Sequence, residues 1–261
     1  MGKTQQIKLD IVIPAIKKDL KVLPHVIDSI HKQIRHPIGK IFIVAPQDAS
    51  MMKLCKEKHC KFIHEDTVLP ILKEEIDYWW NGKNRAGWMF QQLLKLSGDT
   101  LSNEGHYLVI DADTILIQPH TFIQDDKFIF YYRNLRKKEY YRAYHRLLGA
   151  KAEAPSRSIS FVSHYMVFNV KLLKELKRKI EQKHSKPWFE CILQNFDRTK
   201  YAPFSEYETY GNFMYSNYRE RIILEKCLNL SLKRKALQRT IQSDMHTIAE
   251  HHRSVSFHHR K

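Results

Sequence analysis

Two aspartates one residue apart, Asp111 and Asp113, interrupt the apolar stretch "HYLVIDADTILIQP" between His106 and Pro119. Tyr107 to Ile110 reads as a buried strand, so both carboxylates fall at its C-terminal end, where open α/β sheets place their ligands. Acid-x-acid spacing alone decides little, because Glu75/Asp77 and Glu206/Glu208 share it. Only Asp111/Asp113 ends an expected buried strand. One explanation is structural, with the aspartates bonding turn amides. The chemical one is that two carboxylates leaving a strand in a bent turn offer hard oxygen ligands to Mg²⁺ or Mn²⁺, with positions left for water and a diphosphate.

The elements that must position this pair are legible as alternation. "KLDIVIPA", "KIFIVAP" and "CKFIHED" read as strands, with helices at Leu20 to Ile34 and Ala49 to Lys58 between them. The helix "GWMFQQLLKLSG" precedes the aspartate strand; after it come the strand "KFIFYYR", a basic helix around Lys137 to Leu148, the loop "GAKAEAPSRS" and an apolar strand "SISFVSHYMVFN". The last third reads as helical and ends in a basic segment from Arg219 to His252. An α/β fold with a mostly parallel sheet flanked by helices follows. At 261 residues and 43% hydrophobic side chains, one core accounts for the chain. Its expected divisions are 1–113, 114–218 and a basic helical extension, 219–261.

The formal charge of +16 favours acidic partners: nucleotide phosphates, acidic glycans, nucleic acid or an anionic membrane face. No apolar run is long enough to span a membrane, and "MGKTQQIKLDIVIPAIKKD" lacks the small-residue cleavage site of a signal sequence, so a cytoplasmic location is expected, with Lys233, Arg234 and Lys235 available to touch a membrane. Cys55, Cys60, Cys191 and Cys227 form no CxxC pair; "CKEKHC" has no distant second half for a zinc site, and reduced structural thiols are expected.

Two enzyme classes use such a carboxylate pair. "DADTIL" resembles the haloacid dehalogenase phosphatases, whose first aspartate is a nucleophile and whose second is an acid/base. That family carries its motif on the first strand and adds a later acidic pair; here the motif begins 110 residues in, and Asp197 and Asp244 stand alone. The second resemblance is to GT-A glycosyltransferases, in which an N-terminal nucleotide-binding half precedes the DxD. More closely, the chain resembles a bacterial family of the domain-of-unknown-function type related to that fold, through "IVIPAIKKD", "GWMFQQLLKL", "YLVIDADTIL", "FVSHYMVFN" and "FSEYETYGNFM". The order and spacing of these marks carry the resemblance.

That resemblance implies a UDP- or GDP-linked sugar donor, a glycan or lipid-linked acceptor, and Mn²⁺ or Mg²⁺ on Asp111 and Asp113 with His258 as a third ligand. It implies donor contacts at Pro14, Ala15, Arg85, Gln91, Gln92, Lys95 and Ala112. Glu206 of "SEYE" becomes the candidate general base, implying inversion, because Glu208 stands in capping-box position to Ser205. Acceptor contacts are expected at His164, Trp188, Tyr207 and Tyr210. His184, Pro187 and Trp188 in "KHSKPW" are similar to marks of retaining glycogenin-like enzymes, but the glycine-containing spacing is missing and the match is read as accidental. A basic nucleic-acid module is the non-enzymatic alternative; it has no zinc, RNP or KH motif and leaves Asp111/Asp113 unexplained.

Overall fold

The computed structural model describes residues 7–153, 155–156 and 158–259. Strand β1 (Leu9–Pro14) is buried along its whole length, as a central parallel strand covered on both faces must be, which is why it reads as a run rather than an alternation. Helix α1 (Leu23–Gln33) starts with Pro24 in its first turn. Strand β2 (Ile38–Ala45) follows, then α2 (Ala49–Glu57), whose Asp48 cap accepts from the Ser50 and Met51 amides at 2.9 and 3.1 Å, then β3 (Lys61–His64). Helix α3 (Ala86–Leu96) leads to β4 (His106–Ile110), which pairs with β1 in parallel, Val12 opposite Val109.

Beyond the aspartates lie β5 (Thr114–Leu116), β6 (Lys127–Asn134), α4 (Lys138–Leu148), β7 (Ile159–Ser160) and β8 (Tyr165–Asn169). The central sheet has the order β8-β4-β1-β2-β3, with only β8 antiparallel. The expected single strand over Ser158–Asn169 is two strands. The Phe161 amide leaves the ladder to donate to the Glu208 carboxylate at 2.9 Å, and His164 takes a positive φ of 71°. Positions 1–6 of the expected leaderless N-terminus, and positions 154 and 157 of the expected loop, lie outside the described residues.

Helices α5 (Val170–His184), α6 (Trp188–Asn195) and α7 (Glu206–Asn217) supply the expected helical region. The segment from 219 on departs from expectation. It carries β9 (Ile222–Lys226), parallel to β6, then β10 (Asn229–Lys233), short helical turns and β11 (Ser254–His258), which pairs with β10 and, antiparallel, with β5. The period-two patterns "NLSLK" and "SVSFH" prevail over the basic helical reading because their apolar side chains pack on the core. The Arg234 guanidinium donates to the Phe257 carbonyl and pairs with Asp19, so of the three expected membrane-contact cations it is engaged within the fold. No helix among the described residues is long and apolar enough to cross a membrane.

The cysteines are free; burial pushes the Cys55 thiol up to about 11 and the Cys60 thiol to about 12, so both stay protonated near neutrality.

Helix α7 is buried around its whole circumference from Glu206 to Tyr215, and Gly211 is where it meets the Phe161 ring. A Cβ at Gly211 would lie 2.5 Å from that ring, so Gly211→Ala is expected to cost about 1–3 kcal/mol through overpacking, read as a lowered urea midpoint with unchanged slope.

Candidate active site

A cavity of about 440 Å³ opens where the C-terminal end of β4 meets α3, α7 and the end of β6. Its size is within the range of small-molecule sites. Lys95, near the end of α3, lines this cavity and is buried, as is Gln92 of the same helix. The Lys95 ammonium lies 2.6 Å from Asp111 Oδ1 and 2.8 Å from Glu206 Oε1, and 4.6 Å from the centre of the Tyr207 ring. One cation is thus shared by two carboxylates, one just past the end of β4 and one on α7.

Asp111 is held through both its oxygens. Oδ1 accepts from Lys95 and from the Tyr207 hydroxyl at 3.0 Å, and Oδ2 accepts from His164 Nδ1 at 3.0 Å. Arg133 lies 3.2 Å from His164 Nε2; a guanidinium can only donate, so Nε2 is the acceptor and Nδ1 carries the proton given to Asp111. Burial alone would raise the Asp111 carboxyl, but Lys95 and His164 outweigh it and hold it well below the usual carboxylate range. Burial likewise opposes the Lys95 ammonium, and the two carboxylates reverse that and raise its pKa. Burial pushes the Tyr207 phenol up, and Asp111 and Glu206 push it further, so the hydroxyl remains a donor.

Glu206 differs from Asp111. It is 1% exposed, its Oε1 touches Lys95 without hydrogen-bond geometry, and Oε2 has no partner among the described residues. Burial raises its pKa in spite of Lys95. Its neighbour Glu208 has the structural role expected of it, by another route. Ser205 caps α7 by accepting from the Glu208 amide at 3.3 Å, but the Glu208 carboxylate binds Ser160, the Phe161 amide and Asn212 rather than closing a capping box.

Asp113 and His258 form a separate pair. The turn after β4 is closed by the Thr114 amide donating to the Asp111 carbonyl at 3.0 Å, and it sends the two aspartates apart. Strand β11 then delivers His258. The Phe257 amide donates to the Asp113 carbonyl at 2.8 Å, and His258 Nδ1 lies 3.1 Å from Asp113 Oδ2. Among the described residues, no group of three or more His, Cys, Asp or Glu is arranged to hold a metal ion; of the expected trio, Asp113 and His258 stand together while Asp111 is engaged by Lys95, Tyr207 and His164. A carboxylate oxygen and an imidazole nitrogen at that spacing still fit a divalent ion that completes its shell with phosphate and water.

The remaining expected residues divide. Pro14, Ala15 and Ala112 are buried at the strand ends, and Gln91 donates to the Pro14 carbonyl at 3.4 Å from the cavity wall. Gln92 reaches the wall too, bonded to the Trp88 carbonyl of its own helix. The Arg85 guanidinium packs 4.8 Å from the Trp88 ring and 4.0 Å from the Tyr201 ring. Trp188 and Tyr210 are not in the wall: Trp188 covers Lys177, which is paired with Asp99, and Tyr210 packs among Phe130 and Phe168 in the core. The wall instead uses Trp88, Tyr140 and Tyr201, with Arg133 and Lys137. Trp88 is read in the sequence only as a buried helix residue, and Tyr140, Tyr201, Arg133 and Lys137 carry no sequence mark of a site because they come from separate segments that only packing brings together.

A family model matches residues 6–257. The chain belongs to DUF6492, a family of unknown function. Among curated proteins none matches this DUF6492 sequence. Solved structures do. An active-site mutant of LgtC aligns over 95% of this chain and 87% of its own, at 10% identity and a TM-score of 0.51. The bifunctional glycosyltransferase WbbM aligns over all of this chain, at 11% identity and a TM-score of 0.51; the DUF6492 chain spans 47% of that protein. Mouse xyloside xylosyltransferase 1 aligns over 96% of this chain and 97% of its own, at 12% identity and a TM-score of 0.49. The DUF6492 chain has the GT-A fold of glycosyltransferases.

Proposed function

We propose that this chain is a glycosyltransferase that moves a sugar from a UDP- or GDP-linked donor to a hydroxyl of a glycan or lipid-linked acceptor, with inversion at the sugar carbon. The observation that carries the reading is Glu206: a buried carboxylate with a free oxygen on the wall of a cavity at the strand ends of a GT-A sheet. Glycosyl transfer needs a base for the attacking hydroxyl, and a carboxylate whose pKa is raised by burial is a stronger base than an exposed one. In this role Glu206 Oε2 takes the acceptor proton while Lys95 fixes the carboxylate through Oε1. Asp111 orients Lys95 and Tyr207, and His164 with Arg133 behind it fixes Asp111.

Asp113 and His258 would hold Mn²⁺ or Mg²⁺, which when bound acts as a Lewis acid on the departing diphosphate. Pro14, Ala15 and Gln91 then line the nucleotide side. A nucleophilic Asp111, as in the phosphatase reading, is disfavoured because both its oxygens already accept strong hydrogen bonds.

Calorimetric titration with UDP and GDP, with and without Mn²⁺, tests the reading. Manganese-dependent binding of one nucleotide is expected, weakened in Asp113→Ala by at least about 10–100-fold, the loss typical of disturbing even the contacts behind a metal ligand. Absence of nucleotide binding under every metal condition would sink it.

A further inference from the structure

The cavity wall carries more positive charge than a sugar-nucleotide donor consumes. Four cations face it, Arg85, Lys95, Arg133 and Lys137, against two carboxylates, Asp111 and Glu206. Lys95 is spent on those two carboxylates. Arg85, Arg133 and Lys137 have no carboxylate within ion-pair distance among the described residues. Arg85 donates to the Tyr201 carbonyl, Arg133 to a neutral imidazole, and Lys137 rests only on the Tyr140 ring, 5.5 Å from its centre.

A diphosphate and a divalent ion at Asp113 and His258 neutralise each other and Asp113 adds a single negative charge, so the donor site does not balance the three cations Arg85, Arg133 and Lys137. Half-buried cations without a counter-ion lining one cavity favour a ligand that supplies the counter-charge. The exposed lysines of α5 carry no such implication, because water solvates them.

Building on the glycosyltransferase reading, we propose that the acceptor is acidic: a glycan unit bearing a carboxylate or a phosphate, bound by Arg133 and Lys137 at the end of β6. The cavity lining includes both these cations and the Trp88–Arg85–Tyr201 stack. The stack offers aromatic faces to the sugar rings while Arg133 and Lys137 take the acidic group. The same wall connects to the chemistry, since Arg133 touches His164 and His164 touches Asp111. An acid bound there settles the acceptor with its hydroxyl toward Glu206. Carboxylate and phosphate are both suitable ligands for this pair, a guanidinium matching either in bidentate fashion.

The test uses the full chain, saturated with Mn²⁺ and the nucleotide it binds, and three tetrasaccharide probes: a neutral glucan, an oligogalacturonate, and the glucan phosphorylated at a primary hydroxyl. Wild type is expected to bind one or both acidic probes at least about tenfold more tightly than the neutral one, the effect of one charge-assisted contact. The preferred probe identifies carboxylate or phosphate as the group recognised. Lys137→Met, which disturbs only the Tyr140 contact, and Arg133→Met should each remove most of that preference while nucleotide affinity stays within about twofold.

Lys171→Met/Lys174→Met, which removes two exposed charges from α5, should keep the preference; its loss there would mean general attraction to a basic surface and would overturn the proposal. Equal binding of neutral and acidic probes by wild type would overturn it as well, as would loss of nucleotide affinity in the Arg133 and Lys137 variants, which would assign those cations to the diphosphate. Failure of nucleotide binding in wild type is a different result and overturns the glycosyltransferase reading itself.

Discussion

Lys95→Met is expected to lower folding stability by about 3–5 kcal/mol at neutral pH, because it removes the one cation between two carboxylates and leaves both in a buried site. Methionine keeps the apolar stem, so packing is nearly preserved and the loss is electrostatic. The pH dependence identifies the cause. In the wild type Asp111 is held below its ordinary value, so its contribution is present above the usual aspartate range near ~4 and is lost as pH falls below it. Without Lys95, burial governs Glu206, while Asp111 loses Lys95 but keeps His164 and Tyr207; both folded pKa values rise, that of Glu206 further above its ordinary value. A raised carboxyl favours the folded state only while protonated, and that stability is lost as pH rises through the folded value. The deficit of the variant should therefore be largest at neutral and alkaline pH and shrink toward about pH 4–5. Urea midpoints at pH 7.5 and 4.5 with constant slopes measure it. A neutral-pH deficit below about 1 kcal/mol would mean that water reaches the site and screens the carboxylates.

Much of the fold was readable because its first half is written in uninterrupted apolar runs. "LDIVIP" and "HYLVI" are buried on both faces, and their type and position follow from that alone. Reading failed where local pattern and tertiary demand diverge. "SLKRKALQRT" has helical charge periodicity, yet the flanking "NLSLK" and "SVSFH" become strands because β5, a three-residue strand beyond the aspartates, lacks a partner without them. That same pairing is what carries His258 from the far end of the chain to Asp113. The two residues are 145 positions apart, and no spacing rule could have joined them, although a family resemblance could suggest it.

Within the site, Asp111 and Asp113 are legible from residue type and strand position, and Glu206 from the "SEYE" resemblance and the capping position of Glu208. Their partnerships are not. Lys95, expected at the donor phosphates, sits between Asp111 and Glu206 once α7 is packed against α3, and Asp111 accepts from Lys95, Tyr207 and His164. Trp188 was chosen for its flat ring, and the ring wall is instead Trp88 and Tyr201, brought together by Arg85 between them. Aromatic residues announce that a wall exists, and only packing decides which of them form it.

Glu206→Gln separates chemistry from binding. The substitution keeps shape and removes a buried charge, so turnover on a competent donor and acceptor is expected to fall about 10²–10⁴-fold, the usual contribution of a positioned base. Nucleotide affinity should stay within about twofold, since Glu206 belongs to the Lys95 side of the cavity and not to the Asp113/His258 pair. Stability should move in the opposite sense to activity. Burial raises the Glu206 carboxyl, so its ionised form opposes folding, and the wild type loses that stability as pH rises through the folded value. Glutamine does not ionise; relative to wild type the variant should gain stability as pH climbs above the ordinary glutamate range near ~4.3. The rate profile carries the matching signature. Wild-type turnover should fall on the acidic side at a pH above that ordinary value, where the base becomes protonated, and the limb should be absent from the variant's residual rate. Turnover within about tenfold of wild type, or an acidic limb that survives the substitution, would remove Glu206 from the role of base. A variant both inactive and unable to bind nucleotide would instead mean that the carboxylate, through Lys95, holds the whole strand-end crevice in shape.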